Sequence, residues 1–217
     1  MMMVTNVYID GFNLYNGAVR NTPYKWLDLA ALCQALLPSH TINRIRYFTA
    51  AVMGFAHDPE APTRQEVYLR ALRTIPNLSV HKDGFFVAHP VLLPQFPLAI
   101  IHKNRPPQAV QVLRIEEKRT DVDLACYLLV DCLSNDFDEA VVISNDSDLV
   151  LPIEMVRVKF GKTIGVINPH PKGKRSGHLQ KAASYHLRTI NKSVLAASQL
   201  PAILTDAKGT ITKPTGW

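Results

Sequence analysis

Two short apolar runs in this chain are each followed at once by acidic residues. Val4–Ile9 leads into Asp10, and Ala140–Ile143 leads into the segment Ser144-Asn145-Asp146-Ser147-Asp148. A run of about four to eight apolar, mostly β-branched residues is typical of a strand buried on both faces of a parallel sheet. In open parallel sheets, ligands bind beyond the carboxyl ends of the strands. The two runs therefore predict an α/β fold with carboxylates at its ligand-binding edge.

The rest of the chain alternates between strand and helix patterns. The predicted strands are Ile42–Thr49, Leu78–His81, Val110–Ile115 and Thr163–Ile167, and the predicted helices are Leu27–Leu37, Thr63–Thr74, Val122–Leu133 and Leu149–Phe160. Such alternation is typical of a parallel sheet that helices cover on both faces, with right-handed crossovers. We therefore expect a mostly parallel central sheet between two helical layers.

Length and proline distribution predict the domain organisation. A chain of 217 residues is most simply one domain, which we expect to span residues 1–190. Residues 84–107 hold five of the 15 prolines, so this stretch is expected to be either an irregular excursion or a pair of hairpin strands. Residues 191–217 are expected to form a helix and a polar tail, packed on the domain or trailing from it.

The charge balance allows a polyanionic partner, and the apolar runs argue against a membrane span. Lys and Arg number 24 against 18 Asp and Glu, which gives a net charge of +6. An excess of this size permits a nucleic-acid partner without requiring one. Charges or prolines interrupt every apolar run before the roughly 18 residues of a span are reached. Since the amino end also lacks the basic flank of a signal peptide, a cytoplasmic protein is expected.

Cysteine usage argues against a disulfide framework and a zinc ribbon. The chain has three cysteines, Cys33, Cys126 and Cys132, with no C-x-x-C pair. Cys126 and Cys132 fall within the apolar pattern of the helix predicted at Val122–Leu133. Buried thiols in a reducing cytosol are therefore expected.

A third acidic pair, Asp121 and Asp123, opens that helix. Each acidic group also has an ordinary structural explanation, since an Asp-Gly pair at Asp10 suits a turn and Asp146 suits a helix N-cap. Taken together, the three clusters are expected at one end of one sheet. Crowded carboxylates repel one another unless a cation neutralises them, and Mg²⁺ or Mn²⁺ prefers such oxygen ligands. The sequence therefore predicts a divalent metal site.

Helix geometry limits which residue of the pair can join this site. The apolar positions that repeat at helical spacing predict a buried face made of Val122, Ala125, Cys126, Leu129, Val130 and Leu133. Asp121 and Asp123 lie on opposite flanks of that face, so only one of them can face a single cation. Asp146 and Asp148 lie in a turn before the next helix, where both can face the same site. Spacing alone leaves the choice between Asp121 and Asp123 open.

Other enzyme classes lack their motifs here. The sequence contains no G-x-G-x-x-G, G-x-S-x-G or H-E-x-x-H segment. A phosphatase of the kind that uses two aspartates after its first strand would need a second carboxylate where Phe12 stands. A metal-dependent phosphatase is therefore disfavoured.

Three segments together resemble the signature segments of NYN domains, which belong to the PIN-like nuclease superfamily. They are Val7–Tyr15, Glu116–Ala125 and Val142–Leu149, and the resemblance extends over nearly the whole chain. The resemblance implies a three-layer α/β/α PIN-like fold and metal-dependent cleavage of RNA. It also implies an Mg²⁺ or Mn²⁺ site formed by Asp10, Asp121, Asp146 and Asp148, with Asn13, Ser144 and Asn145 orienting the ligands or metal-bound water.

Two positions depart from the family pattern. Many members have an acidic residue where Tyr127 stands, and the family often has Gly where Arg119 follows the motif lysine. Loss of the acidic residue weakens the case for a second metal ion. The number of ions, and whether Asp123 or Glu117 joins the site, are left open.

The main functional hypothesis is an endoribonuclease whose acidic site is edged by basic residues. Lys118 is expected either to stabilise charge on the phosphate or to tether a carboxylate. Arg64, Lys172, Lys174 and Arg175 are candidates for contacts with the RNA backbone. The alternative is a catalytically weak or inactive PIN-like module that binds RNA or a protein. Single-stranded or structured RNA is the expected partner, and the choice between a monomer and a homodimer is left open.

Overall fold

The computed structural model describes residues 3–94, 109–170, 176–187 and 190–217. Its main sheet has seven strands, namely β1 (Val4–Asp10), β2 (Thr41–Ala50), β3 (Leu78–Pro94), β4 (Ala109–Lys118), β5 (Glu139–Ile143), β6 (Thr163–Ile167) and β7 (Tyr185–Leu187). The strand order is β4-β3-β2-β1-β5-β6-β7. All neighbouring pairs are parallel except β3 and β4. This topology confirms the mostly parallel central sheet.

Helices cover both faces of this sheet. They are α1 (Gly11–Leu14, continued by a π-helical turn at Tyr15–Val19), α2 (Leu29–Leu36), α3 (Ala61–Leu72), α4 (Thr120–Leu133), α5 (Val150–Glu154, entered through a 3-10 turn at Ser147–Leu149 and continued by a π-helical turn at Met155–Lys159), α6 (Gly177–Ala182) and α7 (Lys192–Ala197). One core cluster joins α2 and α3 to the sheet, and a second joins α4, α5 and α6 to its other face. The predicted three-layer α/β/α fold is confirmed. No helix in the described ranges is both long and apolar enough to cross a membrane.

The alternation of side chains along strand β1 determines on which face of the sheet Asp10 lies. Val7 and Ile9 pack in the cluster with α2 and α3, whereas Tyr8 packs in the cluster with α4. Successive side chains of a strand point to opposite faces. Asp10, at the end of β1, therefore lies on the same side of the sheet as Tyr8, towards α4.

The proline-rich stretch begins as a hairpin. Phe85–Pro94 of β3 pairs antiparallel with Ala109–Lys118. The second of the two predicted alternatives, a pair of hairpin strands, is therefore confirmed for residues 85–94, while 95–107 lie outside the described residues. Prolines are tolerated in this ribbon because a strand at the edge of a sheet has no second partner for its backbone.

Residues beyond 190 are more ordered than the expected helix and polar tail. Helix α7 is followed by a hairpin of β8 (Ile203–Asp206) and β9 (Gly209–Thr212). Arg70 on α3 donates a hydrogen bond of 2.7 Å to Asp206, and the Trp217 and Trp26 rings lie 6.4 Å apart. The expected polar tail is therefore a hairpin packed on the α3 side. Its turn is closed by Gly209, whose φ of 110° suits glycine.

Helix α4 is rotated about its axis relative to the face predicted from its apolar pattern. The residues that it buries are Thr120, Leu124, Leu128, Asp131 and Cys132. Val122, Val130 and Leu133 are instead 63%, 56% and 65% exposed. The two faces differ by roughly half a turn on a helical wheel. The predicted buried face is wrong, and so is the prediction of a buried Cys126, which is exposed.

A buried carboxylate explains this rotation. Asp131 accepts a hydrogen bond of 2.7 Å from the Tyr8 hydroxyl. It also accepts two hydrogen bonds, of 2.7 and 2.8 Å, from the Arg46 guanidinium. Paired in this way, a charged side chain can face inward where apolar periodicity predicts a solvent-facing position. On the same wheel Asp121 borders the buried face of α4, whereas Asp123 lies well outside it.

Candidate metal centre and adjoining cavity

Asp10 is the most enclosed carboxylate at the ligand-binding edge, with 2% of its surface exposed. Its Oδ1 accepts a hydrogen bond of 2.9 Å from the backbone N–H of Asn13 and so caps α1. Its Oδ2 accepts from the Asn13 amide at 2.6 Å and from the Ser144 hydroxyl at 2.9 Å. Gly11 lets the chain turn here, since a Cβ would lie 2.7 Å from the Phe48 carbonyl oxygen. Asp10 is therefore held in one orientation.

The loop after β5 is tied to the end of β1 through the same residues. The backbone N–H of Asp146 donates to Ser144 Oγ at 3.0 Å. The backbone N–H of Asn145 donates to Asn13 Oδ1 at 3.2 Å. The structure thus brings Asn13, Ser144 and Asn145 together around Asp10, where the sequence expects them.

Asp146 begins the turn that leads into α5. Its Oδ1 accepts a hydrogen bond of 3.0 Å from the backbone N–H of Asp148 and caps the 3-10 turn. The capping explanation considered for the sequence is therefore correct for Asp146. Capping does not exclude a second role, because a carboxylate oxygen has two lone pairs. Asp148 lies within this 3-10 turn and is exposed.

Asp121 is an electrostatic neighbour of these carboxylates. Burial, and after it the charges of Asp10 and Asp146, raise its pKa to about 7. Burial likewise raises the pKa of Asp10, with a contribution from the charge of Asp146. The first turn of α4, the end of β1 and the loop after β5 therefore bring three carboxylates into mutual repulsion.

These carboxylates fit a divalent cation that keeps several water ligands better than one that is coordinated by protein side chains alone. In the described part of the chain, no three His, Cys, Asp or Glu side chains are close enough together to hold one ion between them. Mg²⁺ is usually bound by one or two carboxylates and keeps several waters. Burial, together with repulsion from neighbouring carboxylates, raises the pKa values of Asp10 and Asp121, and a bound cation would favour their charged forms. A cation with two direct carboxylate ligands and others bridged by water fits both observations.

The repulsion predicts that Asp121→Asn stabilises the metal-free protein at pH 8. The folded-state pKa of Asp121, about 7, lies above the unfolded value, so its charge lowers stability as the pH rises from about 4 to 7. After allowance for solvent screening we expect a gain on the order of 1 kcal/mol, or about 3 °C in Tm. Thermal unfolding at pH 8 and pH 4 measures it, and the gain should vanish at pH 4. A gain independent of pH would contradict the account.

The other acidic and basic groups of the second signature segment have partners of their own. Lys118 forms an ion pair of 2.8 Å with Glu116. This contact matches the second of its two expected roles, the tethering of a carboxylate. Glu117 accepts a hydrogen bond of 3.2 Å from the backbone N–H of Thr120 at the start of α4. Asp123 pairs with Arg119 at 3.1 Å. Glu117 still adds to the charge that raises the pKa of Asp121.

The position of Arg119 also has a backbone explanation. Its φ is 86°, a left-handed conformation that glycine adopts without cost. Glycine is the residue that the family often has here. The departure at this position therefore concerns the turn into α4 and the ion pair with Asp123.

Of the four basic residues expected to contact RNA, Arg64 is the one that lies within the described residues. Arg64 forms an ion pair with Asp58 and lines a cavity on the α3 side. Lys172, Lys174 and Arg175 lie outside the described residues.

Two residues that the sequence analysis did not select also join this network. His170 Nε2 lies 3.2 Å from Asn13 Oδ1, and Asn168 accepts a hydrogen bond of 2.9 Å from the His170 backbone N–H. Asn168 Nδ2 is buried and has no hydrogen-bond partner among the described residues. Both residues follow β6, so the strand-end argument applied to Asp10 could have found them.

A cavity of about 440 Å³ opens on the other side of β1. Gly11, the neighbour of Asp10, contributes to its wall. The lining includes the rings of Tyr15, Tyr47, Phe55, Tyr68 and Trp217. Because its walls come from segments far apart in the chain, no local sequence pattern predicts this cavity.

Comparisons with known proteins identify a family, a relative and a similar fold. The family model described as "NYN domain" matches residues 4–191. The 6-hydroxy-3-succinoylpyridine 3-monooxygenase HspA of Pseudomonas putida is 32% identical to this chain, over 98% of this chain and 75% of that protein. A solved structure of a protein of unknown function from Vibrio parahaemolyticus aligns with a TM-score of 0.54 and 15% identity, over 88% of this chain and 94% of that one. At that identity, the structural match supports the fold alone.

Proposed function

This chain belongs to the NYN-domain family, in a nuclease-like superfamily, and on that premise we propose that it is a metal-dependent endoribonuclease. The observation that carries the proposal is the mutual repulsion of Asp10, Asp121 and Asp146 at the carboxyl edge of the sheet. A site that holds three repelling carboxylates is suited to a cation. The proposed cofactor is Mg²⁺ or Mn²⁺, held directly by two of these carboxylates, with the third and Asp148 bound through water.

The proposed reaction is hydrolysis of an RNA phosphodiester bond. When bound, the cation supplies an activated water and neutralises charge that develops on the phosphate. The side chains of the protein keep the ligands in position. Asn13 and Ser144 fix both oxygens of Asp10 by hydrogen bonds of 2.6 to 2.9 Å, and His170 and Asn145 in turn fix Asn13. Such support matters because a small displacement of a reacting group costs much of its rate advantage.

The direct test uses purified protein and a labelled RNA with Mn²⁺, Mg²⁺ or EDTA. Cleavage with either metal and none with EDTA would support the proposal. Tight RNA binding with no cleavage under any of these conditions would favour the alternative of a non-catalytic binding module. A parallel assay with p-nitrophenyl phosphate separates a nuclease from a phosphatase, since a nuclease should leave it intact.

We also propose that Lys172, Lys174 and Arg175 draw the RNA backbone towards the acidic site. Changing all three to Met should lower the slope of log K against log salt by about 2 for single-stranded RNA, because three phosphate contacts are lost. Filter binding at several salt concentrations in EDTA measures this slope without cleavage. An unchanged slope would rule out a role for these three residues.

A second candidate function is a monooxygenase that acts on a small heteroaromatic acid. Two observations favour it, namely the relative of that name over 98% of this chain and the aromatic cavity beside Gly11. A monooxygenase reduces molecular oxygen with electrons from a donor such as a reduced nicotinamide, so oxygen consumption that depends on the substrate is its signature. Oxygen consumption with 6-hydroxy-3-succinoylpyridine and NADH tests it. Consumption of oxygen that requires both compounds would favour this function over RNA cleavage.

A further inference from the structure

We propose that the cavity beside Gly11 binds one small planar aromatic molecule that carries an anionic group. This inference concerns binding alone, and it holds whether or not the acidic site cleaves RNA. The cavity, of about 440 Å³, falls within the usual range for small-molecule sites, roughly 300–1,000 Å³. It can enclose a one- or two-ring compound or a single nucleotide, but not a nucleic-acid helix.

The preference for a planar aromatic ligand follows from the aromatic side chains that line the cavity. Trp217 is held in place by Tyr68 and Trp26, whose ring centroids lie 5.6 and 6.4 Å from its own. Tyr47 is buried, whereas Tyr15 is 38% exposed on the opening side. Aromatic side chains that are fixed by packing favour flat ligands, because stacking then costs little further entropy.

The anion preference follows from unpaired positive charge. Arg20 and Lys25 line the cavity, and neither forms an ion pair with any residue that the structure describes. Arg64 also lines it but is neutralised by Asp58. Lys25 is half-buried and Arg20 is exposed, so a ligand that brings negative charge can form charge-assisted hydrogen bonds with both without displacing an existing ion pair.

Two polar side chains of the lining, Gln65 and Tyr68, are already engaged within the protein. Gln65 donates to the Ala50 carbonyl oxygen at 2.8 Å and accepts from the Val52 N–H at 2.9 Å. Its amide is thereby engaged in holding the loop after β2. Tyr68 likewise donates its hydroxyl to the Leu27 carbonyl oxygen at 2.8 Å. The unpaired charged groups of the lining are therefore the cations.

Two classes of compound combine a planar aromatic ring with an anionic group, namely aromatic carboxylates and nucleoside monophosphates. Isothermal titration in EDTA, without RNA, compares naphthalene-2-carboxylate with its neutral carboxamide and uridine 3′-monophosphate with uridine. We expect at least one anion to bind roughly tenfold or more tightly than its neutral partner, because a hydrogen bond to a charged group contributes that much. Binding by the carboxylate alone identifies a small aromatic acid as the ligand, and binding by the nucleotide alone identifies an RNA base with its phosphate.

Paired substitutions locate the site. Lys25→Met combined with Arg20→Met should reduce the affinity of the anion to that of the neutral partner, and Tyr15→Leu should weaken both. Lys159→Met, on the opposite face of the sheet, serves as the matched control and should change neither affinity. Equal affinities for acid and amide, no binding by any probe, or full binding by the double variant would overturn the proposal.

Discussion

Asp146→Asn should lower Mn²⁺-dependent RNA cleavage by a factor of roughly 10² to 10³, the usual effect of removing one charge-stabilising group from a reacting centre. The substitution takes one negative charge from the proposed metal site. It keeps an oxygen that can accept the backbone N–H of Asp148, which Asp146 Oδ1 does at 3.0 Å. Asn caps helical turns as well as Asp does. Activity should therefore fall while the unfolding curve in EDTA stays within about 0.5 kcal/mol of wild type.

Asp123→Asn is the matched control for this experiment. It makes the same chemical change, from Asp to Asn, at a residue of α4. Asp123 pairs with Arg119 at 3.1 Å and lies outside the buried face that Asp121 borders. Cleavage should be retained. Single-turnover rates with saturating Mn²⁺ measure both variants. Undiminished cleavage by Asp146→Asn, or equal losses in the two variants, would exclude Asp146 from the site.

Asp131→Leu should destabilise the protein by about 3–5 kcal/mol, because removal of one partner leaves a buried charge and a buried hydroxyl without their hydrogen bonds. Those partners are Arg46 and Tyr8, which lie on β2 and β1. Asp131 is 6% exposed, so solvent cannot replace it. Urea unfolding followed by circular dichroism measures the loss.

The comparison for this variant is Asp136→Leu, which breaks a second bidentate pair. Asp136 accepts two hydrogen bonds, of 2.9 and 3.2 Å, from Arg44. The side chains of that pair are 27% and 42% exposed, but Asp136 also accepts a hydrogen bond of 2.8 Å from the buried Asn6 amide. We therefore expect a loss of about 1–2 kcal/mol, smaller than that of Asp131→Leu. Equal losses of stability in the two variants would show that the burial of Asp131 does not determine how strongly its substitution destabilises the protein.

Asp131 also links stability to the proposed site. It holds α4 in the rotation that brings Asp121 next to Asp10 and Asp146. A helix turned to bury Val122 and Val130 instead would carry Asp121 away from the end of β1. The residual folded fraction of Asp131→Leu should therefore bind Mn²⁺ more weakly than wild type.

Features that depend on neighbouring residues could be predicted from the sequence. The apolar runs before Asp10 and Ser144 determine buried parallel strands, and the carboxyl ends of such strands meet at one edge. The same argument would have found Asn168 and His170 after β6. Local pattern was sufficient here because both strands are buried on both faces.

Features that depend on distant partners could not be predicted in this way. The rotation of α4 follows from a contact between Asp131 and Tyr8, which are 123 positions apart. Apolar periodicity gives no sign that a charged residue will find such a partner, so the exposure of Cys126 was missed. The cavity beside Gly11 combines residues from as far apart as Tyr15 and Trp217.

The position of a bound ion tests the central claim most directly. Crystals soaked in Mn²⁺ and measured at the manganese absorption edge locate that ion by its anomalous scattering. The account predicts a peak about 2.1 Å from carboxylate oxygens of Asp10 or Asp146, with Asp121 beside it. A peak bound elsewhere, or no peak at saturating Mn²⁺ with these side chains turned apart, would contradict the claim that the three carboxylates share one cation.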